Sequence, residues 1–107
     1  MLEVLKPPKS MPQSEESERA VLAAVLLDPR LLPSVSGRLK AEDFHTERHR
    51  LIYAVMLELQ EVQVSIDLRT VQAKLEAKAA LESAGGLAYL AGLDVDLPDL
   101  GRFEHYV

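Results

Sequence analysis

The chain has 107 residues, 48% of them apolar and 27% charged, which suits one soluble domain with a modest core. Its net charge of −5 is not that of a chain that grips phosphates, so nucleic-acid binding by this chain alone is disfavoured. It has no Cys, which excludes disulfides and Cys-ligated zinc, and no apolar run that could cross a bilayer. We therefore expect an intracellular, cytoplasmic protein.

The N-terminal part predicts an arm followed by a helix. Residues 1–13 contain three prolines and no apolar periodicity, which indicates a flexible arm. Ser14 is a suitable N-cap for the first helix, which should end at Asp28-Pro29 because proline lacks an amide donor. The first turn of this helix is acidic and suits the positive end of the helix dipole: Glu15, Glu16 and Glu18.

The middle of the chain predicts two more helices. The first of these covers residues 32–39, with Pro33 in its first turn. Glu42-Asp43-Phe44 predicts a turn whose Phe enters the core, and Thr46 can cap the next helix. That helix has the clearest apolar stripe in the chain: Leu51, Ile52, Val55, Met56 and Leu59.

Residues 62–66 alternate between apolar and polar, but no other segment offers a strand partner, so we expect an extended linker. Asp67 should cap a fourth helix. Its buried face is predicted to hold Leu68, Val71 and Leu75. Gly85-Gly86 breaks the chain before a short fifth helix, and Pro98 opens a sixth helical segment. The predicted fold is a compact all-α bundle of about six short helices.

Two histidines form the first candidate site. His45 and His49 are four residues apart and could share a metal, but the zinc-protease motif needs Glu after the first His, and Thr46 stands there. We therefore favour a solvated helix start with two surface or half-buried histidines. A small metal-dependent enzyme that uses both histidines is the weakest alternative.

Two other candidate sites are also better explained by structural roles. The carboxylates of Glu15, Glu16 and Glu18 are predicted to be exposed at a helix start rather than to act in acid–base chemistry. A phosphate-binding loop needs a Gly-Lys dipeptide, and the chain has none. We therefore interpret Gly85-Gly86 as a turn. We predict no catalytic, cofactor-binding or metal site in this chain.

The segment near the C-terminus is the one functional signal in the residue chemistry. It is rich in apolar and aromatic residues, and apolar surface at the end of a small domain often marks an assembly contact. We predict a protein-interaction surface made of Tyr89, Leu93, Leu97, Leu100, Phe103 and Tyr106.

Several segments have a distinctive order and spacing: residues 14–29, 42–44, 49–59, 66–71 and 85–90. In that order they resemble the N-terminal domain of the bacterial replicative helicases, the DnaB family. The match departs from the family near Pro98-Asp-Leu-Gly-Arg102, where many relatives read Pro-Ser-Ala-Ala-Asn.

The resemblance implies that residues 14–107 form a helical collar domain of a hexameric, ATP-dependent helicase that unwinds duplex DNA at the replication fork. The family's C-terminal helical hairpin would follow Val107, so this chain looks truncated before it. ATP and Mg would bind a motor domain outside this chain, and only the full-length hexamer would hold single-stranded DNA. The expected partners are further copies of the chain, primase and a helicase loader. The alternative is a stand-alone helical adaptor or regulatory protein-binding domain.

Overall fold

The computed structural model describes residues 15–93 of the chain. This part is all-helical, without strands, as predicted. Its α-helices are α1 (Glu15–Leu27), α2 (Leu32–Ser36), α3 (Glu47–Glu61), α4 (Leu68–Ala77) and α5 (Gly86–Gly92), with 3-10 turns at Pro29–Leu31 and Ala41–Asp43. The predicted N-terminal arm, the Ser14 cap and the sixth helix from Pro98 lie outside the described residues.

Helix α1 ends where Asp28-Pro29 predicts. The Asp28 carboxylate accepts a hydrogen bond from the Arg30 backbone at 3.2 Å and from its guanidinium at 2.9 Å, which fixes the turn. Helix α2 is shorter than the predicted 32–39, because it ends at Ser36. The chain turns after Gly37, which buries Leu39 and presents its carbonyl to the Tyr53 hydroxyl at 2.8 Å.

Helix α3 lies at the centre of the core. Most of its predicted stripe is buried, with Leu51 half-buried at the edge, and the fully buried members are Ile52, Val55, Met56 and Leu59. Phe44 is 1% exposed and its ring lies 4.7 Å from that of Tyr53, so the predicted plug is confirmed. Burial, with a smaller effect of the Asp43 charge, raises the pKa of Tyr53 to about 12.

In the described part of the chain, three helical turns end on a residue with left-handed backbone: Gln63 (φ 58), Ala79 (φ 56) and Gly85 (φ 105). At each end the next amide bonds to the carbonyl five residues earlier, at 2.8–2.9 Å, as in a Schellman motif. Residues 62 and 63 form the turn that ends α3, and residues 64–66 then continue without strand pairing, so the predicted extended linker is confirmed only for residues 64–66.

Helix α4 begins at the predicted cap, since the Asp67 carboxylate accepts the Thr70 amide at 2.9 Å. Val71 and Leu75 are buried, but Leu68 is 37% exposed, so the prediction that it lies on the buried face is wrong. Side chains of a helix point toward its N-terminus. Leu68 is the first residue of α4, so its side chain extends beyond the part of the helix that packs on the core. Among residues 15–93, no helix combines the length and apolar character needed to span a membrane.

Candidate functional site

Among residues 15–93, the one buried carboxylate is that of Glu18 in α1. Its side chain is fully buried, so the expectation that all three acidic residues of the first turn are exposed is wrong for this one. The reason is helical geometry, because Glu18 lies four and seven residues before the buried Leu22 and Val25 and therefore shares their face. Glu15 and Glu16 are exposed, as expected.

The Glu18 carboxylate binds the start of α3. One oxygen accepts the His45 amide at 2.6 Å, and the other lies 3.3 Å from the Thr46 amide and 2.8 Å from Nδ1 of His49. Thr46 occupies the predicted N-cap position, but its side chain makes no capping hydrogen bond. The Glu18 carboxylate of α1 therefore accepts hydrogen bonds from the amides that precede α3. It lies at the N-terminus of α3, where the helix dipole favours a negative charge.

His49 extends this contact to α5. It is fully buried, which corrects the expectation of a surface or half-buried histidine, and its Nε2 lies 2.5 Å from the Tyr89 hydroxyl. The Tyr89 ring has the Arg48 guanidinium 4.6 Å from its centroid and the Arg19 guanidinium at 5.6 Å, both within cation–π range. We name Glu18, His49 and Tyr89 the Glu–His–Tyr relay. It joins α1, α3 and α5 through side chains that are distant in sequence.

The environment of the relay shifts two of its pKa values. Burial by itself would raise the pKa of Glu18, but hydrogen bonds from the His45 amide, the His49 ring and the Thr46 amide together lower it below 4.5. For Tyr89, burial raises the pKa above 10.0, although the Arg19 and Arg48 charges oppose it. The relay thus has an ionised carboxylate at one end and an un-ionised phenol at the other.

The two histidines do not converge on a common point. His45 has an exposed side chain, whereas both ring nitrogens of His49 already have partners in the relay. Within residues 15–93, no group of three or more His, Asp or Glu side chains is arranged to hold a metal ion. The polar atoms of the relay instead contact one another, and such contacts stabilise and orient packed helices.

The residues of the predicted interaction surface lie in different places. Tyr89 is half-buried in the relay, and Leu93 is 1% exposed in the core. The remaining residues lie outside the described part of the chain: Leu97, Leu100, Phe103 and Tyr106. The surface as a whole stays a prediction.

Gly85 and Gly86 form the turn that starts α5, as predicted, and they differ in one useful respect. A Cβ on Gly85 would lie 2.8 Å from the Cβ of Tyr89, whereas a Cβ on Gly86 meets nothing within 4 Å. Both glycines have positive φ, so any residue with a Cβ at either position would strain the backbone. Gly86→Ala should cost about 1–2 kcal/mol of the free energy of unfolding. Gly85→Ala should cost about 1 kcal/mol more because Tyr89 must move, and equal losses in urea unfolding would contradict this contact.

The lowered pKa of Glu18 predicts how stability depends on pH. Because the pKa is lower in the folded state, this carboxylate stabilises the fold fully above its unfolded value, and the contribution is lost as pH falls through the folded pKa. The stability difference between the natural chain and Glu18→Gln should therefore shrink between about pH 6 and about pH 3. Urea unfolding of both proteins at matched ionic strength measures it, and a constant difference would exclude the proposed ionisation.

Comparison with known proteins matches the chain to a family over nearly its whole length. The family model described as the DnaB-like helicase N terminal domain matches residues 10–107. The replicative DNA helicase DnaB of Geobacillus stearothermophilus is 42% identical over 95 residues, which are 89% of this chain and 21% of that protein. The replicative DNA helicase DnaB of Treponema pallidum is 35% identical over 98 residues, 92% of this chain and 22% of that protein.

A solved structure is similar in fold as well. The crystal structure of the N-terminal domain of DnaB helicase from Mycobacterium tuberculosis superposes with a TM-score of 0.81 at 30% sequence identity. The match covers 89% of this chain and 68% of that one. The chain spans only about a fifth of the length of the curated helicases it matches.

Proposed function

Because the chain belongs to the DnaB-like helicase N-terminal domain family, we propose that it is the assembly and primase-interaction domain of a hexameric replicative DNA helicase. The observation that carries the proposal is the match of both sequence and helical arrangement to this one domain. The chain itself performs no reaction in this proposal. Duplex unwinding, ATP and Mg belong to the parent protein, which acts at the replication fork in the cytoplasm.

The arrangement of the buried polar groups suits a domain that binds other proteins rather than one that catalyses a reaction. The buried polar groups of Glu18 and His49 form hydrogen bonds with one another, and Glu18 also accepts a hydrogen bond from a backbone amide. Assembly would use the predicted surface near the C-terminus, from which we omit Leu93 because its side chain is already in the core. Leu97, Leu100, Phe103 and Tyr106 remain as its proposed contacts, with further copies of the chain, primase and a loader as partners.

Analytical ultracentrifugation of the chain over a concentration series, with and without primase, tests this proposal. We expect concentration-dependent self-association or a complex with primase, and no detectable ATPase activity. Leu100→Asp should weaken association because it places a charge in an apolar contact. Val62→Asp is the matched control, since Val62 is 60% exposed at the end of α3. A strict monomer that ignores primase would contradict the proposal.

The reading frame of the parent gene distinguishes the two function classes. A Gly-x-x-x-x-Gly-Lys-Ser/Thr motif well downstream of Val107 would supply the phosphate-binding loop of a motor domain. A stop codon soon after Val107 would instead select the stand-alone adaptor.

A further inference from the structure

The start of α3 is held by side chains other than that of its N-cap residue. Thr46 occupies the N-cap position without a side-chain capping bond, and the chain bends at His45 and Thr46. The first amides of a helix have no partner within the helix, so the segment that enters it usually depends on such a cap. Two charged side chains bind the backbone of this bend instead, Glu18 of α1 and Arg50 of α3.

Glu18 and Arg50 bind opposite ends of the same two peptide groups, a carboxylate on the amides and a guanidinium on the carbonyls. The first peptide group joins Phe44 to His45. Its carbonyl accepts a hydrogen bond from Nη1 of Arg50 at 2.9 Å, and its amide donates to Glu18 at 2.6 Å. The second peptide group joins His45 to Thr46. Its carbonyl accepts a hydrogen bond from the same Nη1 at 3.0 Å, and its amide donates to Glu18 at 3.3 Å.

This arrangement makes the two charged side chains depend on each other. An amide becomes a stronger donor when the carbonyl of its own peptide group accepts a hydrogen bond from a cation, because linked hydrogen bonds polarise one another. Both side chains also fix the same bend, so both contacts offset the conformational entropy that the bend loses on folding. Residues that share partners in one hydrogen-bond network are coupled in energy for these reasons.

We propose that Glu18 and Arg50 form one charge clamp on the bend at His45 and Thr46, through which the docking of α1 fixes the start of α3. The charge clamp takes the place of the missing N-cap bond. Without Arg50 the amides bind Glu18 more weakly, and without Glu18 the carbonyls bind Arg50 more weakly. This inference concerns the folded chain alone and does not require the proposed helicase role.

The charge clamp lies directly beside the Phe44 plug. Arg50 and Tyr53 are three residues apart and therefore share a face of α3. Arg50 binds the carbonyl of Phe44, and the hydroxyl of Tyr53 binds the carbonyl of Leu39. One face of α3 thus holds the chain before and after the turn at Ala41–Asp43. The charge clamp adds α1 to these contacts at the point where the chain leaves the plug and enters α3.

A double-mutant cycle measures whether the two charged side chains depend on each other. Arg50→Met removes the guanidinium and keeps an unbranched side chain, and it is made both in the natural chain and in Glu18→Gln. We expect it to raise the equilibrium constant of unfolding at least about fivefold more in the natural chain, because the charge clamp is already open in Glu18→Gln. Urea unfolding of the four proteins gives these constants. Equal effects in the two backgrounds would show independent contacts and overturn the proposal.

Arg69→Met is the matched control for the cycle. Arg69 has an exposed side chain in α4, and its replacement removes the same charge from the chain. Its effect on unfolding should agree within about twofold between the natural chain and Glu18→Gln. If Arg69 were coupled to Glu18 as strongly as Arg50, the coupling would be a general attraction between charges, which contradicts the charge clamp.

The chemical shift of the His45 amide proton reports the charge clamp directly in the folded chain. This amide donates to a carboxylate across 2.6 Å, and such a short, charge-assisted bond moves the proton downfield. Arg50→Met should move it upfield, although Arg50 binds carbonyls and not this amide, whereas Arg69→Met should leave it in place. An unchanged shift in Arg50→Met would overturn the charge clamp even if the cycle showed coupling. The same readout decides the proposal if Glu18→Gln fails to fold.

Discussion

Replacing Glu18 by Ala should lower the free energy of unfolding by about 3–5 kcal/mol, because each buried hydrogen-bonding group left without its partner costs about 1–3 kcal/mol. The change leaves the amide of His45 and Nδ1 of His49 without their acceptor, and the amide of Thr46 loses a weaker one. The ring of His49 cannot turn to water in the folded chain, because its side chain is fully buried. Urea unfolding followed by circular dichroism measures the loss.

Two variants separate the roles of the Glu18 charge and of its position. Glu18→Gln retains one acceptor oxygen and should lose less than Glu18→Ala. Glu16→Ala removes an exposed carboxylate two residues away and should change stability by less than about 0.5 kcal/mol. Similar losses for Glu16→Ala and Glu18→Ala would show that the buried contact contributes little.

Phe44→Ala should cost a comparable amount, about 3–5 kcal/mol, for a different reason. The side chain is 1% exposed and packs at 4.7 Å on the ring of Tyr53, so its removal leaves a cavity in the centre of the core. The surrounding helices can close such a cavity only in part. Thermal unfolding should show a lower midpoint with the same all-helical spectrum.

The control for this cavity is an exposed apolar residue of similar chemistry. Leu87 is 45% exposed in α5, so Leu87→Ala removes less buried area than Phe44→Ala and should cost about 1 kcal/mol or less. Phe44→Leu keeps much of the volume and should lie between the two. A loss below about 1 kcal/mol for Phe44→Ala would mean that the turn at residues 41–43 moves and refills the space.

Much of the fold follows from local patterns in the sequence. Helix α1 ends at Asp28-Pro29 because proline cannot continue the backbone ladder, and Asp67 starts α4 by accepting the Thr70 amide. The apolar stripe of α3 is readable because it is long and strictly periodic. These features depend on residues within a few positions of one another.

The Glu–His–Tyr relay could not be found in the same way. Its contacts join residues 31 and 40 positions apart, and neither composition nor periodicity reports such a pairing. The sequence predicts an exposed Glu18 because it stands in the same acidic first turn as Glu15 and Glu16, which are exposed. One local signal was available, since Glu18 lies on the same helix face as Leu22 and Val25.

The left-handed residues at the helix ends are positions where substitution could make the fold more stable. Gln63 and Ala79 hold a backbone conformation that residues with a Cβ adopt at a cost of about 1–2 kcal/mol each. Gly at either site would relieve that cost at an exposed position, although a more flexible unfolded chain offsets part of the gain. A chain with Gly at both positions is therefore a suitable background for destabilising relay variants. Its higher free energy of unfolding would keep such variants folded.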